Sequence, residues 1–439
     1  GEASESGGSD GSASEGGTST RVGGAGAAEN ATGGRASTRA SGGRSSTPLN
    51  TGGNASGSKA IGGNSAGSTS SRSTNTSGGV ASTSGVSAGG AATSRTSNTR
   101  VTTGGARPTT ATGGATSSTN GSCAGPKPDT QSKNPLFTDV YTADPSAMVH
   151  NCTFYVHCGH DEGAGNGFVM NNWFILKSTD MVNWTRIDRA LTLGAFKWAN
   201  ANAWAGQMIT KGGKFYWFVP VNKTGSCPTN CGMAIGVAVG DSPEGPFTDY
   251  LGKPLIDDIL EMANWGYTVD SDTPFTIDPT VFVDDDGQVY LQYGGFGRLS
   301  GVKLTLDGNN VSLSGKIVNV TGLTGFFEAP FLTKIRGTYY NVYARDSNPA
   351  KIDYATANNP MGPFTYRGRI LDSLPTNSTD AATSHPAIAE LAGQWYLVYH
   401  LSNGPNGGGT YHRMVAVDKL TIAADGTIAK IVPTSGMAF

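Results

Sequence analysis

The first 122 residues of this chain contain no Phe, Trp, Tyr, Met, Cys or His. They are almost entirely Gly, Ser, Thr, Ala, Asn and Arg. Without large apolar side chains such a segment cannot offset the entropy of ordering, so residues 1–122 are expected to be a disordered stalk or linker. Five acids against nine bases give it a net charge of +4, which leaves about −6 for the rest of a chain whose formal net charge is −2. Its arginines are isolated among Gly and Ser rather than clustered, so no nucleic-acid partner is expected. Nowhere does an apolar run approach the roughly 20 residues of a helical membrane span, and no membrane partner is expected either. The chain begins at Gly1 rather than Met, with no signal peptide, as expected of a processed piece of a longer protein.

Cysteine is scarce too, with five in 439 residues. Cys227 and Cys231 fit a small disulfide loop better than a redox or metal pair, because no second pair lies at zinc spacing. Cys152 and Cys158 sit too far apart along one extended strand to bond each other. One of them is expected to pair with Cys123, leaving the other free. Ten sequons, at Asn30, Asn54, Asn75, Asn120, Asn151, Asn183, Asn222, Asn310, Asn319 and Asn377, suit a secreted glycoprotein.

What is present, from Cys123 to Phe439, is a motif that recurs five times. Asp144, Trp204, Asp278, Glu328 and His385 each lead an alternating apolar run, a turn and a tyrosine. The tyrosines are Tyr155, Tyr216, Tyr290, Tyr340 and Tyr396, always 11 or 12 residues on. The turns contain Gly or Asn, so each copy reads as a β-hairpin. Successive leads are 60, 74, 50 and 57 residues apart, room for about four strands each. Outer hairpins follow, such as Trp173–Asp180 into Trp184, Met233–Val239 into Phe247, Ile352–Thr356 into Phe364, and Met414–Val417 into Leu420–Ile422. The fold class is therefore all-β, a five-bladed propeller over 123–439, and no stretch of ten residues has helical periodicity. Innermost strands point at one axis, so the lead residues should converge there, while the repeating tyrosines should be core.

Two Asp and a Glu in one cavity meet the needs of glycoside hydrolysis. One acid protonates the leaving oxygen, one activates water or attacks, and a third can hold the first and keep its pKa raised. Asp before Pro is also an ordinary turn residue. That explains any one copy, but not why all five leads are catalytic or ring-contacting types. Trp204 suits stacking on a sugar or filling the channel. Asp284–Gly287 lacks the later ligands of a calcium loop and reads as a turn. Asp161, Glu162, Asp270 and Asp272 could line subsites, though solvated loop charges are the commoner outcome.

Thr142–Pro145, Ile277–Thr280, Phe327–Pro330 and Ser384–Pro386 resemble the blade motifs of glycoside hydrolase family 43, five-bladed propellers that invert anomeric configuration. The resemblance covers nearly all of 134–439. It implies Asp144 as general base, Asp278 as the group that modulates and orients the acid, and Glu328 as general acid. Ser384–Ile388, Tyr399–His400 and Gly408–Arg413 are similar to arabinoxylan arabinofuranohydrolase and β-xylosidase-like members, implying that Arg413 contacts the sugar. Phe275 stands three residues before Asp278, where such relatives often place a Trp platform, implying a place in the pocket wall. His385 could bind the sugar, hold a structural Ca2+ at the axis through water, or simply pack; no cofactor is required. The expected activity is removal of terminal pentoses from hemicellulose, foremost α-L-arabinofuranosyl side chains of arabinoxylan, by a secreted monomer. β-D-Xylosidase activity on xylo-oligosaccharides is the alternative within the class, and a non-catalytic carbohydrate-binding propeller the alternative outside it. Glycine-rich Asn403–Thr410 and the insertion Ile256–Thr276 should wall a blind pocket that admits one terminal sugar.

Overall fold

The computed structural model describes residues 133–434 except 164–166, 225–231, 267–274, 348, 374–382 and 403–408, together with Cys123 and Gly125. The stalk, the Cys227–Cys231 pair, Asp270, Asp272 and most of the 403–410 loop lie outside the described residues.

Five antiparallel sheets follow one another along the chain as the blades of a propeller. Blade one is β1 (Thr142–His150), β2 (Thr153–His160), β3 (Asn172–Ser178) and β4 (Thr185–Thr192), paired in chain order. Blade two holds β5 (Ala199–Ala201), β6 (Gln207–Lys211), β7 (Lys214–Lys223), β8 (Met233–Gly240), β9 (Thr248–Asp249) and β10 (Ile256–Asp257), with β5 and β6 both on β7 and β9 and β10 both on β8. Blade three is β11 (Thr280–Val283), β12 (Val289–Tyr293), β13 (Ser300–Leu306) and β14 (Val311–Leu313), with β15 (Val318–Asn319) also on β13. Blade four is β16 (Phe326–Ile335), β17 (Thr338–Arg345), β18 (Lys351–Ala357) and β19 (Thr365–Leu371). Blade five has β20 (Ala387–Leu391), β21 (Gln394–Leu401) and β22 (Met414–Leu420).

The expected outer hairpin of blade five is a correction. Its first strand runs straight on to Leu420, and Ile422 makes only an isolated bridge to Ile428. The free edge of β22 is taken instead by the start of the domain. Leu136 N–H donates to Val415 O (2.9 Å) and Thr142 N–H to Arg413 O (2.9 Å), while the Asn134 amide accepts from Val417 N–H and donates to Val417 O (2.9 and 3.1 Å). An Asn side chain can pair with a strand in this way because it carries the same donor and acceptor as a peptide unit. The ring is closed, and the edge is satisfied.

The core lies in the seams between blades rather than within any one of them. One apolar cluster joins blades four, five and one, and three others fill the seams from one to two, two to three and three to four. All five repeat tyrosines are buried in these clusters, as their periodicity predicts. Near the axis the seams turn polar. Ser146 Oγ donates to Gly206 O, Gln207 forms two bonds with the Val281 backbone, and Thr280 Oγ1 accepts from Leu332 N–H, tying innermost strands together.

One short helix, α1 (Asp258–Trp265), lies in the insertion before blade three. It is too short to leave a periodic signal. Buried Glu261 accepts from Tyr293, Ser300 and Trp265, which pins the helix to blade three. Asp284–Gly287 is the tight turn expected, linking β11 to β12. Cys123 bonds Cys152, and Cys158 is free and buried.

Candidate active site

All five lead residues line one pocket. Asp144, Trp204, Asp278, Glu328 and His385 surround a cavity of about 140 Å³, joined by Phe168, Ile277, Phe296, Thr383 and Arg413. The backbone turns them inward through irregularities in the innermost strands. β1 shifts register between Ala143 and Ser146, and β16 shifts on both sides of Glu328. Such bulges re-aim side chains. Asp144 and Asp278 both have φ of 52° and Ala329 has 58°, a region non-glycine residues seldom occupy and one that clusters at functional sites.

Asp144 is held from three sides. Arg413 Nη1 donates to its Oδ1 at 2.6 Å, and His385 Nδ1 lies 3.9 Å from the same oxygen. Its own N–H donates to His400 Nδ1 at 3.1 Å. That bond makes Nδ1 the acceptor, so the His400 proton sits on Nε2, which donates to Thr383 O at 2.7 Å. Burial and then the charge of Arg413 push His400 well below the usual imidazole range, so the ring stays neutral as this role requires.

Arg413 is the most heavily committed group in the pocket. Asp161 accepts from its backbone N–H (3.0 Å), from Nε (2.9 Å) and from Nη2 (2.8 Å), leaving Nη1 for Asp144 and Thr383. Both partners are almost fully buried. Burial alone would lower the guanidinium, but the charges of Asp144 and Asp161 overcome it and hold the positive charge in place. Asp161 is thus a buried clamp, not the solvated loop charge expected. Glu162 does remain in the loop, accepting from Asn171 and Asn172.

The other two acids are tuned the opposite way. Burial, then the charge of Asp144, raises Glu328 to about 8 against the pull of Arg413. Burial, then Glu328 and Asp144, raises Asp278 well above the usual range. Asp278 Oδ2 accepts from Ala329 N–H at 2.9 Å, a bond that favours its charged form. Both carboxyls of this interacting pair are raised, so the pair holds on to a proton that a solvated carboxyl would release. The same bond fixes the backbone beside Glu328, which is how Asp278 can orient it. His385 is pushed down to about 4 by burial, against Asp144, and is neutral over the working range.

Two expected wall residues fare differently. Trp204 lines the pocket, its Nε1 donating to Phe168 O at 3.0 Å. Phe275 is buried and does not line it; its ring meets that of Phe296, which lines the pocket instead. Calcium takes six to eight oxygen ligands. Among the described residues no group of three or more His, Cys, Asp or Glu side chains is arranged to hold a metal. A cation at the axis would have to be held through water, and no step of the chemistry is routed through one.

Residues 132–428 match the family model described as "Glycosyl hydrolases family 43". The chain belongs to glycosyl hydrolase family 43. Proteins similar to it include an arabinoxylan arabinofuranohydrolase of Bacillus subtilis, 32% identical over 68% of this chain. The chain spans 64% of that protein's length. A xylosidase/arabinosidase of Humicola insolens is 30% identical over 67% of this chain and 98% of its own length. Among solved family 43 structures, a β-xylosidase/α-arabinofuranosidase from a compost microbial metagenome, crystallised with xylotriose in a calcium-free form, superimposes with a TM-score of 0.58. It is 30% identical and covers 70% of this chain and 98% of the metagenome enzyme.

Proposed function

We propose that this family 43 protein is a secreted, inverting glycosidase that removes single terminal pentoses from hemicellulose, foremost α-L-arabinofuranosyl side chains of arabinoxylan. The observation that carries the reading is a small pocket lined by Glu328, Asp144 and Asp278 together, in which burial and the charge of Asp144 raise Glu328 to about 8. A binding propeller has no use for an acid held near pH 8. The volume of about 140 Å³, below the roughly 300–1,000 Å³ of drug-sized sites, suits one sugar ring and so cleavage from ends and branches. Ten sequons and the Cys123–Cys152 disulfide support secretion.

In the reaction Asp144 takes a proton from water as its oxygen attacks the anomeric carbon, and Glu328 gives its proton to the departing oxygen on the opposite side. Arg413 and His400 hold Asp144, Asp278 holds the backbone beside Glu328, and His385 and Trp204 offer contacts to the bound sugar. The product leaves with inverted configuration, and exchange of one proton with solvent resets the two carboxyls. β-D-Xylosidase activity is the second reading, supported by relatives whose names carry both activities.

The test is digestion of arabinoxylan and xylo-oligosaccharides beside a panel of aryl pentosides. Free arabinose from the outset, with slowly falling viscosity, supports the reading. Free xylose alone selects the second reading, early oligosaccharides with a rapid viscosity drop mean an open cleft, and binding without turnover means a non-catalytic propeller.

A further inference from the structure

Phe296 takes no part in the chemistry above, yet its placement is tightly specified. It lines the acid pocket and is 44% exposed, whereas Asp144, Asp278, His385 and Arg413 around it are buried. Its φ is 55°, a conformation that a residue with a β carbon rarely adopts and that persists where surrounding contacts enforce it.

Those contacts come from the two strands that carry the acids. Gly294 N–H donates to the carbonyl of Ile277, the residue before Asp278, at 2.8 Å. Gly297 N–H donates to the carbonyl of Phe327, the residue before Glu328, at 3.0 Å. Arg298 N–H closes the turn on Gly295 O at 3.1 Å. A β carbon on Gly295 would lie 2.8 Å from Ile277 Cδ1 and 3.6 Å from Glu328 Cβ, so the turn rests directly against the acid. Phe275 and Phe327 meet the Phe296 ring at steep angles, with centroids 6.3 and 5.3 Å away, and the Arg298 guanidinium lies over Phe275 at 4.3 Å. The ring is therefore fixed in angle while nearly half of the residue stays open.

Its position identifies its occupant. A general acid delivers its proton to the leaving oxygen, so the ring bound beside the acid and outside a one-sugar pocket belongs to the leaving group. We propose that Phe296 is the stacking platform for the first sugar of the leaving group, the xylopyranose unit to which the cleaved pentose is attached. The C–H face of a pyranose packs on an aromatic face much as two apolar rings do. This rests on the hydrolase reading above, and it holds for either pentose.

The test uses Phe296→Leu, which keeps a β carbon and the backbone demand but removes the flat ring, with Phe296→Ala as a second variant. Three readouts are compared with the full chain: kcat/KM on an arabinoxylo-oligosaccharide or xylotriose, kcat/KM on a pentosyl fluoride whose leaving group has no ring, and calorimetric binding of xylotriose. The expected result is a loss of about tenfold on the oligosaccharide, mostly in KM, with about tenfold weaker xylotriose binding and less than about twofold change on the fluoride. Inhibition by free pentose should weaken much less than xylotriose binding, because Asp144, His385 and Arg413 are untouched. Equal losses on both substrates, or no loss of xylotriose binding, would overturn the proposal. A wild-type chain inactive on every pentoside, whose xylotriose binding still weakens on substitution, would overturn the hydrolase reading and with it the leaving-group assignment, leaving Phe296 as a ring that stacks on xylose.

Discussion

Replacing Glu328 with Gln keeps the side chain's size and removes its proton, and the structure sets what should follow. Burial and the charge of Asp144 raise this carboxyl from 4.5 to about 8. The folded protein therefore holds a proton that the unfolded chain releases near 4.5. Between those values the native state binds more protons, so this contribution to stability is complete below pH 4.5 and is lost as pH rises through about 8. Each pH unit in that window is worth about 1.4 kcal/mol. Solvent reaches the carboxyl through the pocket mouth, and halving for that leaves about 2 kcal/mol between about pH 5 and pH 8. Gln cannot titrate, so the stability of Glu328→Gln relative to wild type should improve by about that amount over the same range, read by urea unfolding at each pH. On activity, the substitution should cost about 10²-fold or more on arabinoxylan and less on an aryl pentoside whose leaving group needs little protonation. Wild-type kcat/KM should fall on the alkaline side near pH 8, where Glu328 ionises. Equal losses on both substrates, or a stability difference that ignores pH, would refute the assignment.

Asp161→Asn should destabilise the protein by about 3 kcal/mol, because it leaves a buried guanidinium short of a counter-charge. It should also move the alkaline limb to lower pH, since an unbalanced Arg413 favours the Glu328 anion; an unchanged melting temperature and limb would count against the clamp. Proton NMR of the first-formed sugar should show inverted configuration, with Asp144 activating water, and a retained product would sink that assignment.

The five lead positions were legible because a repeat places equivalent residues at equivalent points of the innermost strands, whatever their identity. Arg413 emerged only through the likeness of its loop to known relatives. Asp161 was legible only as one loop acid among several, and His400 only as part of a segment similar to known relatives; the role of neither was. Asp161 meets an Arg 252 residues later, and His400 sits inside a run, Leu397–Leu401, that reads as plain strand. Phe275 drew attention by standing three residues before Asp278, but the ring exposed to the pocket is Phe296. The one signal for Phe296 is the sequence Gly-Gly-Phe-Gly at 294–297, an aromatic among glycines that is hard to account for in a simple connection. Blade five's edge was misjudged because an irregular segment from the far end of the domain, bonding through Asn134 and Leu136, has no local signature.

That closure has a consequence for how the propeller comes into being. Arg413 precedes the last strand and completes the surroundings of Asp144 and Asp161 in the first blade, across 269 and 252 residues. A chain emerging from the ribosome through blade four already carries Asp144, Asp278 and Glu328, yet the cation that holds the first of them has not been synthesised. Contacts of such sequence separation form late, because the loop entropy they close is large. Appearance of activity during refolding should therefore report closure of the ring rather than formation of the individual blades, and a nascent or truncated propeller would stay silent until its final strand docks.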